Sequence, residues 1–497
     1  MAPRALNTLM QRYLAFDLGA ESGRAMLGTL SADRLAIEEL HRFPNTPVRV
    51  FEALYWDVLR LWHEIRRGLA IAGRERKLSL DGIGIDTWGV DFALLGADGE
   101  LAGNPHHYRD ARTNGVPEKL FAIVPRQEVF AQTGIQFMQI NSLYQFYALK
   151  LAGSPALACA RTLLFTPDLL NYWLTGVARS ELTIASTSQF CNPRTRTWAL
   201  DLLERLGLPT RILPEIVEPG TRLGPLLASV AEAAGLDAVP VYATGCHDTA
   251  SAVAAVPAEG RNWCYISSGT WSLMGAELDE PIVNERALAE NLTNEIGVAG
   301  KIRFLKNIAG LWLLQECRRA WALDGTEYSY DELVRMAAGA KPFSAILNPD
   351  AFLEPGGMPR KIAEHCRASG QTPPETPADF TRAILESLAF RYRQVLESLE
   401  SLAGRRFDVI HIVGGGSRNA LLNQFVADST GRTVIAGPGE ATAIGNVLIQ
   451  AMGAGELAGL AEARELVRRS FPLETYQPKA GAEWDEAYAR YRTLTLS

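Results

Sequence analysis

Short apolar runs bounded by glycine alternate along this chain with longer segments in which apolar residues recur every three or four positions, the pattern of buried strands exchanging with amphipathic helices. Tyr13-Leu-Ala-Phe-Asp17 predicts a strand ending on a carboxylate, residues 18–24 a glycine turn, and residues 25–30 a returning strand. Residues 57–73 place Val58, Leu61, Trp62, Ile65 and Leu69 on one face and predict a helix. A strand over 82–86 runs into Thr87-Trp-Gly-Val-Asp91, and a short helix with a packing role only is expected over 167–175, closed by Gly176. Val241-Tyr-Ala-Thr-Gly-Cys-His-Asp-Thr-Ala-Ser-Ala252 reads as strand, glycine turn and helix opening on His247, Asp248 and Thr249.

The second half repeats the opening theme. Strands over 261–266 and 271–276 flank Ser267-Ser-Gly-Thr270, a second strand, turn, strand unit. Helices are expected over 311–323, over 377–402 with Thr376 as N-cap, over 420–430, from about 440 onward and over 481–492. A buried strand over 408–413 ends on Gly414-Gly-Gly416, and the Pro/Gly-rich stretch 341–375 predicts an irregular surface excursion.

A chain of 497 residues exceeds the roughly 250–300 at which a single core stops growing. Two α/β domains are therefore expected, 1–250 and 251–497, with the last helix a candidate to return to the N-terminal one. Hydrophobic residues at 47% and charged residues at 21% provide for a sizeable core and argue against disorder. A formal charge of −7 without a polybasic tract excludes a nucleic-acid partner. The cysteines at 159, 191, 246, 264, 317 and 366 have neither C-x-x-C nor zinc-ligand spacing and read as reduced thiols. Residues 129–149 carry too many Gln, Asn, Ser and Thr for a membrane span, and 1–11 too short an apolar piece for a signal peptide. A cytoplasmic protein away from membranes, monomeric or a small homo-oligomer, is expected.

Asp248 admits two readings, a helix N-cap or a catalytic base. Gly19, Ser22, Gly23 and Arg24 suit phosphate oxygens or simply turn a hairpin. Trp88 and Gly89 can face a sugar or belong to the core, and the polar run His106 to Arg112 can be a solvated loop with ion pairs. Three glycines at 414–416 can admit a nucleotide against backbone, and Asn307 and Gln315 are the polar candidates beside the 311–323 helix. No G-x-G-x-x-G heads a βαβ unit, which argues against a dinucleotide oxidoreductase.

In order, Asp17-Leu-Gly-Ala-Glu-Ser-Gly-Arg24, Gly84-Ile-Asp-Thr-Trp-Gly-Val-Asp-Phe92, Tyr108-Arg-Asp-Ala-Arg-Thr-Asn-Gly115, His247-Asp-Thr-Ala-Ser-Ala-Val253, Ser267-Ser-Gly-Thr-Trp-Ser-Leu-Met-Gly275 and Leu305-Lys-Asn-Ile-Ala-Gly-Leu-Trp-Leu-Leu-Gln315 resemble the FGGY family of carbohydrate kinases over almost the whole chain. The resemblance implies two ribonuclease H-like domains of the actin/hexokinase ATPase type flanking a catalytic cleft. It implies ATP- and Mg²⁺-dependent phosphorylation of L-rhamnulose at its 1-hydroxyl, with another ketose or polyol (fuculose, xylulose, glycerol) or an actin/chaperone-type ATPase as rivals. Asp248 is then the proton acceptor, and Gly89, His247, Asp248, Thr249 and Asn307 bind the sugar. Ala20, Glu21, Ser22, Gly23, Arg24, Thr270, Gln315 and Gly415 bind ATP, and Asp17 orients Mg²⁺ through water. Glu21 departs from the small hydroxyl residue usual in that loop, and Cys246 from the usual Ser.

Overall fold

The computed structural model describes residues 10–479 and 481–496, so nearly all of the 1–11 segment weighed as a signal peptide lies outside the described residues. The chain forms two compact units, each discontinuous in sequence. The first takes the chain up to Pro257, Glu277–Phe304 and Ala441–Ser470; the second takes Ala258–Ala276, Leu305–Glu440 and the chain from Phe471 onward. The chain returns to the first unit at Glu277 and again at Ala441, and Ala482–Leu496 lies with the second unit.

In the first unit a six-stranded sheet has the order Thr221–Pro225, Pro240–Ala243, Gly82–Thr87, Gln11–Leu18, Ser22–Leu30, Leu35–Pro44. Gln11–Leu18 runs antiparallel to Ser22–Leu30, with Asp17 opposite Arg24, and parallel to Gly82–Thr87, with Asp17 beside Asp86. The parallel strands are buried along nearly their whole length, which is why they read as continuous apolar runs rather than alternating ones. Leu61, Ile65 and Leu69 of the helix Val58–Ala70 share one buried cluster with Phe16 and Leu27 of the sheet, and the helix starts where Asp57 Oδ1 accepts from Arg60 N at 3.1 Å.

Asp248–Ala254 packs against Ala441–Gly453 at backbone distance. A Cβ built at Gly445 would lie 1.7 Å from the Ser251 carbonyl oxygen, so only glycine fits there.

In the second unit Trp263–Ser268 pairs antiparallel with Ser272–Leu278 and parallel with Val409–Val413, which continues to Thr433–Ala436. This is the same antiparallel hairpin followed by parallel strands that opens the first unit, the repeat anticipated from the two glycine turns. The helix Pro377–Ala403 begins with a capping box between Thr376 and Asp379. One expectation fails in this unit: the Pro/Gly-rich stretch holds the helix Met358–Ala368, because Gly357 takes a left-handed φ of 59° and Pro359 sits in the first turn, where a missing N–H costs nothing. The uncharged stretch 129–149 divides between the helices Arg126–Thr133 and Ser142–Leu151, and no described helix is long and apolar enough to cross a membrane.

Candidate active site

Three chain segments meet where the parallel strands of the first unit end. Trp88 N donates to Leu18 O at 3.2 Å and Thr87 N to Cys246 O at 2.9 Å, and Thr87 forms a parallel bridge with His247. The ends of the Asp17, Asp86 and Asp248 segments therefore lie side by side, as parallel α/β sheets place them. Asp17 is ion-paired with Arg24 across the hairpin. The turn between them closes through Gly19 N to Ser22 O at 2.9 Å, and Asn45 holds it from outside, donating Nδ2 to Gly19 O at 2.9 Å and N to Glu21 O at 3.0 Å. Ala20, Ser22 and Arg24 are half-buried there and Glu21 is exposed. Gly23 serves packing: a Cβ on it would stand 2.4 Å from the Phe43 ring.

Asp86 is wholly buried, and its carboxyl lies well above the usual carboxylate range because of that burial and the neighbouring Asp17 charge; Asp248 adds to the effect and the Asn446 hydrogen bond opposes it. Its Oδ1 has no hydrogen-bond partner. Adjacent carboxylates with an unpartnered buried oxygen are the hard donors that Mg²⁺ accepts. Among the described residues no group of three or more His, Cys, Asp or Glu could hold a metal ion. A cation bound mostly by water and substrate phosphates needs only one or two protein carboxylates.

His247, not Asp248, occupies the N-cap position of Asp248–Ala254, and its side chain makes no capping bond. Asp248 Oδ1 instead accepts from Thr249 N at 2.5 Å and from Thr249 Oγ1 at 3.0 Å, with His247 Nε2 at 3.4 Å. Gly89 faces the same histidine, since a Cβ there would lie 3.4 Å from His247 Nε2 and from Thr187 Oγ1. Beneath this loop Glu181 Oε2 accepts from Cys246 N at 3.1 Å and Thr183 Oγ1 at 2.6 Å, while Thr183 Oγ1 accepts from His247 N at 3.2 Å. Burial pushes Glu181 up to about 7 against these donors. Asp168, on the helix expected only to pack, accepts from Ser180 Oγ at 2.9 Å and Glu181 N at 3.1 Å, so that helix also anchors the bracing strand. Burial likewise raises the Cys246 thiol, leaving it neutral, with Asn171 Nδ2 3.8 Å from its sulfur.

Trp88 is core. Its ring lies 4.1 Å from that of Trp56, and both indole N–H groups donate to Asp91 Oδ2, at 2.9 and 2.5 Å. The His106 to Arg112 run is not a solvated loop either: Asp110 accepts from Leu54 N at 2.7 Å, and Arg112 reaches Asp91 through Gln145 by bonds of 2.6 and 2.9 Å.

In the second unit Gln315 Nε2 donates to Thr270 Oγ1 at 3.0 Å, and Leu311 N and Trp312 N donate to Gly269 O and Thr270 O at 3.1 and 3.0 Å. Gly310 permits this approach, with a φ of 56° and room for no Cβ against Thr270 O at 2.6 Å. Gln315 Oε1 is buried without a hydrogen-bond partner, an acceptor available to a ligand. Gly414 and Gly416 press on Ser268, whereas a Cβ on Gly415 would meet no atom within 4 Å. Asn307 is half-buried on the strand Ile302–Ile308.

Sequence reasoning missed Glu181, Asp168, Glu295 and Arg303. A signal for the last was present: Ile302-Arg-Phe-Leu305 sets one arginine inside an apolar strand, which requires a buried partner.

The profile of the FGGY family of carbohydrate kinases, N-terminal domain, matches residues 12–255, and that of the C-terminal domain matches 264–454. A protein of Bacteroides thetaiotaomicron named Rhamnulokinase is 48% identical over 97% of this chain and 99% of its own. Another Rhamnulokinase, from Pectobacterium carotovorum, is 42% identical over 98% of this chain and 97% of its own. Among solved structures, xylulose kinase from Rhodospirillum rubrum superposes with a TM-score of 0.79 at 20% identity, covering 98% of each chain.

Proposed function

The chain belongs to the FGGY family of carbohydrate kinases, and we propose that it transfers the γ-phosphoryl group of ATP to the 1-hydroxyl of L-rhamnulose, giving L-rhamnulose 1-phosphate and ADP. The relatives named Rhamnulokinase, similar over nearly the full chain, support that sugar over other ketoses. The reaction belongs in the cytoplasm, where ATP is supplied, and requires neither membrane nor nucleic acid; the protein acts as a monomer or small homo-oligomer. Residues 1–250 carry sugar binding and residues 251–497 nucleotide binding.

The observation that carries the mechanism is the asymmetry of Asp248. Thr249 holds Oδ1 by two hydrogen bonds, while Oδ2 accepts none from the described residues. A carboxylate oriented through one oxygen and open at the other is suited to take the proton of an attacking hydroxyl. His247, Thr249, Gly89 and Asn307 orient the sugar so that this hydroxyl is presented to the γ-phosphate, and orientation is the greater part of phosphoryl-transfer catalysis. The turn 20–24, Thr270, Gln315 and Gly415 receive ATP, with backbone N–H groups directed at phosphate oxygens. Asp17, with Asp86 beside it, would hold Mg²⁺, which when bound offsets charge on the phosphate oxygens. Keeping water from the site would limit ATP hydrolysis without sugar.

The test is ADP release with L-rhamnulose, L-fuculose, D-xylulose and glycerol, each with ATP and Mg²⁺. The reading expects the highest kcat/KM with L-rhamnulose. A preference for another sugar, or ATPase activity indifferent to sugar, would overturn it.

A further inference from the structure

Behind His247, on the side away from Asp248 Oδ1, lies a buried ion pair that the reaction just described does not use. Arg303 and Glu295 are both buried, with side-chain exposures of 1% and 6%. Arg303 Nη1 stands 3.1 Å from Glu295 Oε2, near enough for an ion pair although not aligned as a hydrogen bond. Nε and Nη2 also donate to Ile296 O, at 3.3 and 3.2 Å, fixing the plane of the guanidinium. Burial alone would raise the Glu295 carboxyl, but the Arg303 charge outweighs it and holds it below its ordinary value. A charge pair this deep is retained only at a desolvation penalty, so it adds little stability and calls for another role.

The second nitrogen of the guanidinium supplies one. Arg303 Nη2 lies 3.1 Å from His247 Nδ1, and Glu295 Oε2 lies 3.3 Å from the same ring atom. An arginine only donates, and Glu295 Oε2 accepts no hydrogen bond from the described residues, so the Arg303 contact requires a lone pair on Nδ1 and places the ring proton on Nε2. His247 Nε2 is the atom 3.4 Å from Asp248 Oδ1 and the ring atom nearest Gly89.

We propose that Glu295 and Arg303 are positioning residues that hold His247 as the neutral Nε2–H tautomer, so that it serves as a hydrogen-bond donor to the sugar beside Asp248 and not as a competing base. Without Arg303, the Glu295 carboxylate would face Nδ1 unopposed and draw the ring proton to that side; Arg303 cancels its charge and occupies Nδ1. The ring then has no free lone pair. The sugar proton goes to Asp248, while Nε2–H can donate to a sugar oxygen.

This inference deepens the reading of Asp248 as base and His247 as a sugar ligand and rests on it, but its test does not depend on turnover. Imidazole ¹⁵N NMR is recorded on the sugar-free protein at neutral pH, and the His247 signals are identified among the seven histidines by their loss in His247→Gln. The expected result is a neutral ring with Nε2 protonated and Nδ1 not; an Nδ1–H tautomer or an imidazolium overturns the proposal. Arg303→Met should shift the ring toward mixed tautomers or the imidazolium and lower kcat by up to about 10²-fold, the loss typical of a misplaced reacting group, with KM for ATP unchanged. Arg303→Lys, which restores a donor, should recover part of both. An unchanged ring state in a folded Arg303→Met also overturns the proposal, and if that variant does not fold, the wild-type spectrum decides. Should Asp248 prove not to be the base, kcat of Asp248→Asn reports it separately, whatever tautomer is found.

Discussion

Asn446 donates its Nδ2–H to Asp86 Oδ2 at 2.5 Å, although 360 residues of chain separate the two. Both are wholly buried, and Asn446 Oδ1 in turn accepts from Gln450 Nε2 at 2.7 Å. The helix Ala441–Gly453 thus returns to the first unit bearing the polar partner of a carboxyl at the end of a parallel strand. Asn446→Ala leaves Asp86 without that donor and should lower unfolding free energy by about 1–3 kcal/mol, the range for a buried polar group left unsatisfied. Urea unfolding with an unchanged m-value checks it.

Asp248→Asn preserves size and the acceptor for the Thr249 bonds but removes the carboxylate proposed as base. Turnover with L-rhamnulose should fall by roughly 10²–10⁴, with sugar binding by calorimetry and melting temperature near wild type. Since His247 holds the N-cap position, loss of a cap cannot account for such a fall. Full turnover in a stable variant would remove Asp248 from the chemistry.

Gly415 and Gly416 should separate nucleotide binding from folding. A side chain at 415 enters open space, so Gly415→Leu should fold normally and weaken ATP binding. At 416 a Cβ would stand 2.0 Å from Ser268 Oγ and 3.0 Å from Ser268 O, so Gly416→Leu should lower the melting temperature. ATP titration and thermal melts of both variants give the comparison, and unchanged ATP affinity in Gly415→Leu would exclude 415 from the site.

Glu21→Ser should leave kcat/KM for ATP unchanged or raise it. The residue is exposed at the tip of the turn, and the hydrogen bond from Asn45 N is made to its backbone oxygen, which the substitution keeps. A large loss in initial-rate measurements, relieved by higher Mg²⁺, would instead give Glu21 a part in metal binding.

Acid should unfold the protein partly through His107. Its ring lies 4.1 Å from that of Trp56, its Nδ1 accepts from Arg109 N at 2.9 Å, and burial, aided by the Arg109 charge, pulls it from 6.5 to about 3. A folded-state value below the unfolded one means that the unfolded chain binds the proton first. The stabilisation is therefore whole above pH 6.5 and is lost as pH falls toward 3. His107→Asn keeps an acceptor for Arg109 N and removes the titration. The wild type should lose unfolding free energy relative to this variant between about pH 6.5 and 4, whereas a constant difference would contradict the assignment.

What the sequence revealed was what lies close together along it. Asp17 and Arg24 pair across one hairpin, and His247, Asp248 and Thr249 open one helix, so local spacing was enough to find them. The second hairpin at Ser267 to Thr270 was legible for the same reason. Asp86 with Asn446, and His247 with Glu295 and Arg303, escaped because no periodicity encodes a contact between distant segments. Trp88 was ambiguous since an indole beside a glycine suits a sugar face and a core equally; only the shared acceptor on Asp91 separates the two. The helix Met358–Ala368 was hidden by Gly356, Gly357 and Pro359, residues that break helices in their interior but begin them well.

Gly445 has a bearing on any effort to retarget this enzyme to another sugar. Its contact with the Ser251 carbonyl is main chain on main chain, so no side chain lies between to repack when neighbours change. The segment bearing Asp248 is thereby seated on a surface that libraries of pocket substitutions leave in place, and specificity can drift while Asp248 keeps its station. The same directness makes the position unforgiving, for even alanine must lift one helix off the other. Randomised pools selected for activity should therefore recover glycine at 445 long after the sugar-facing residues have diversified.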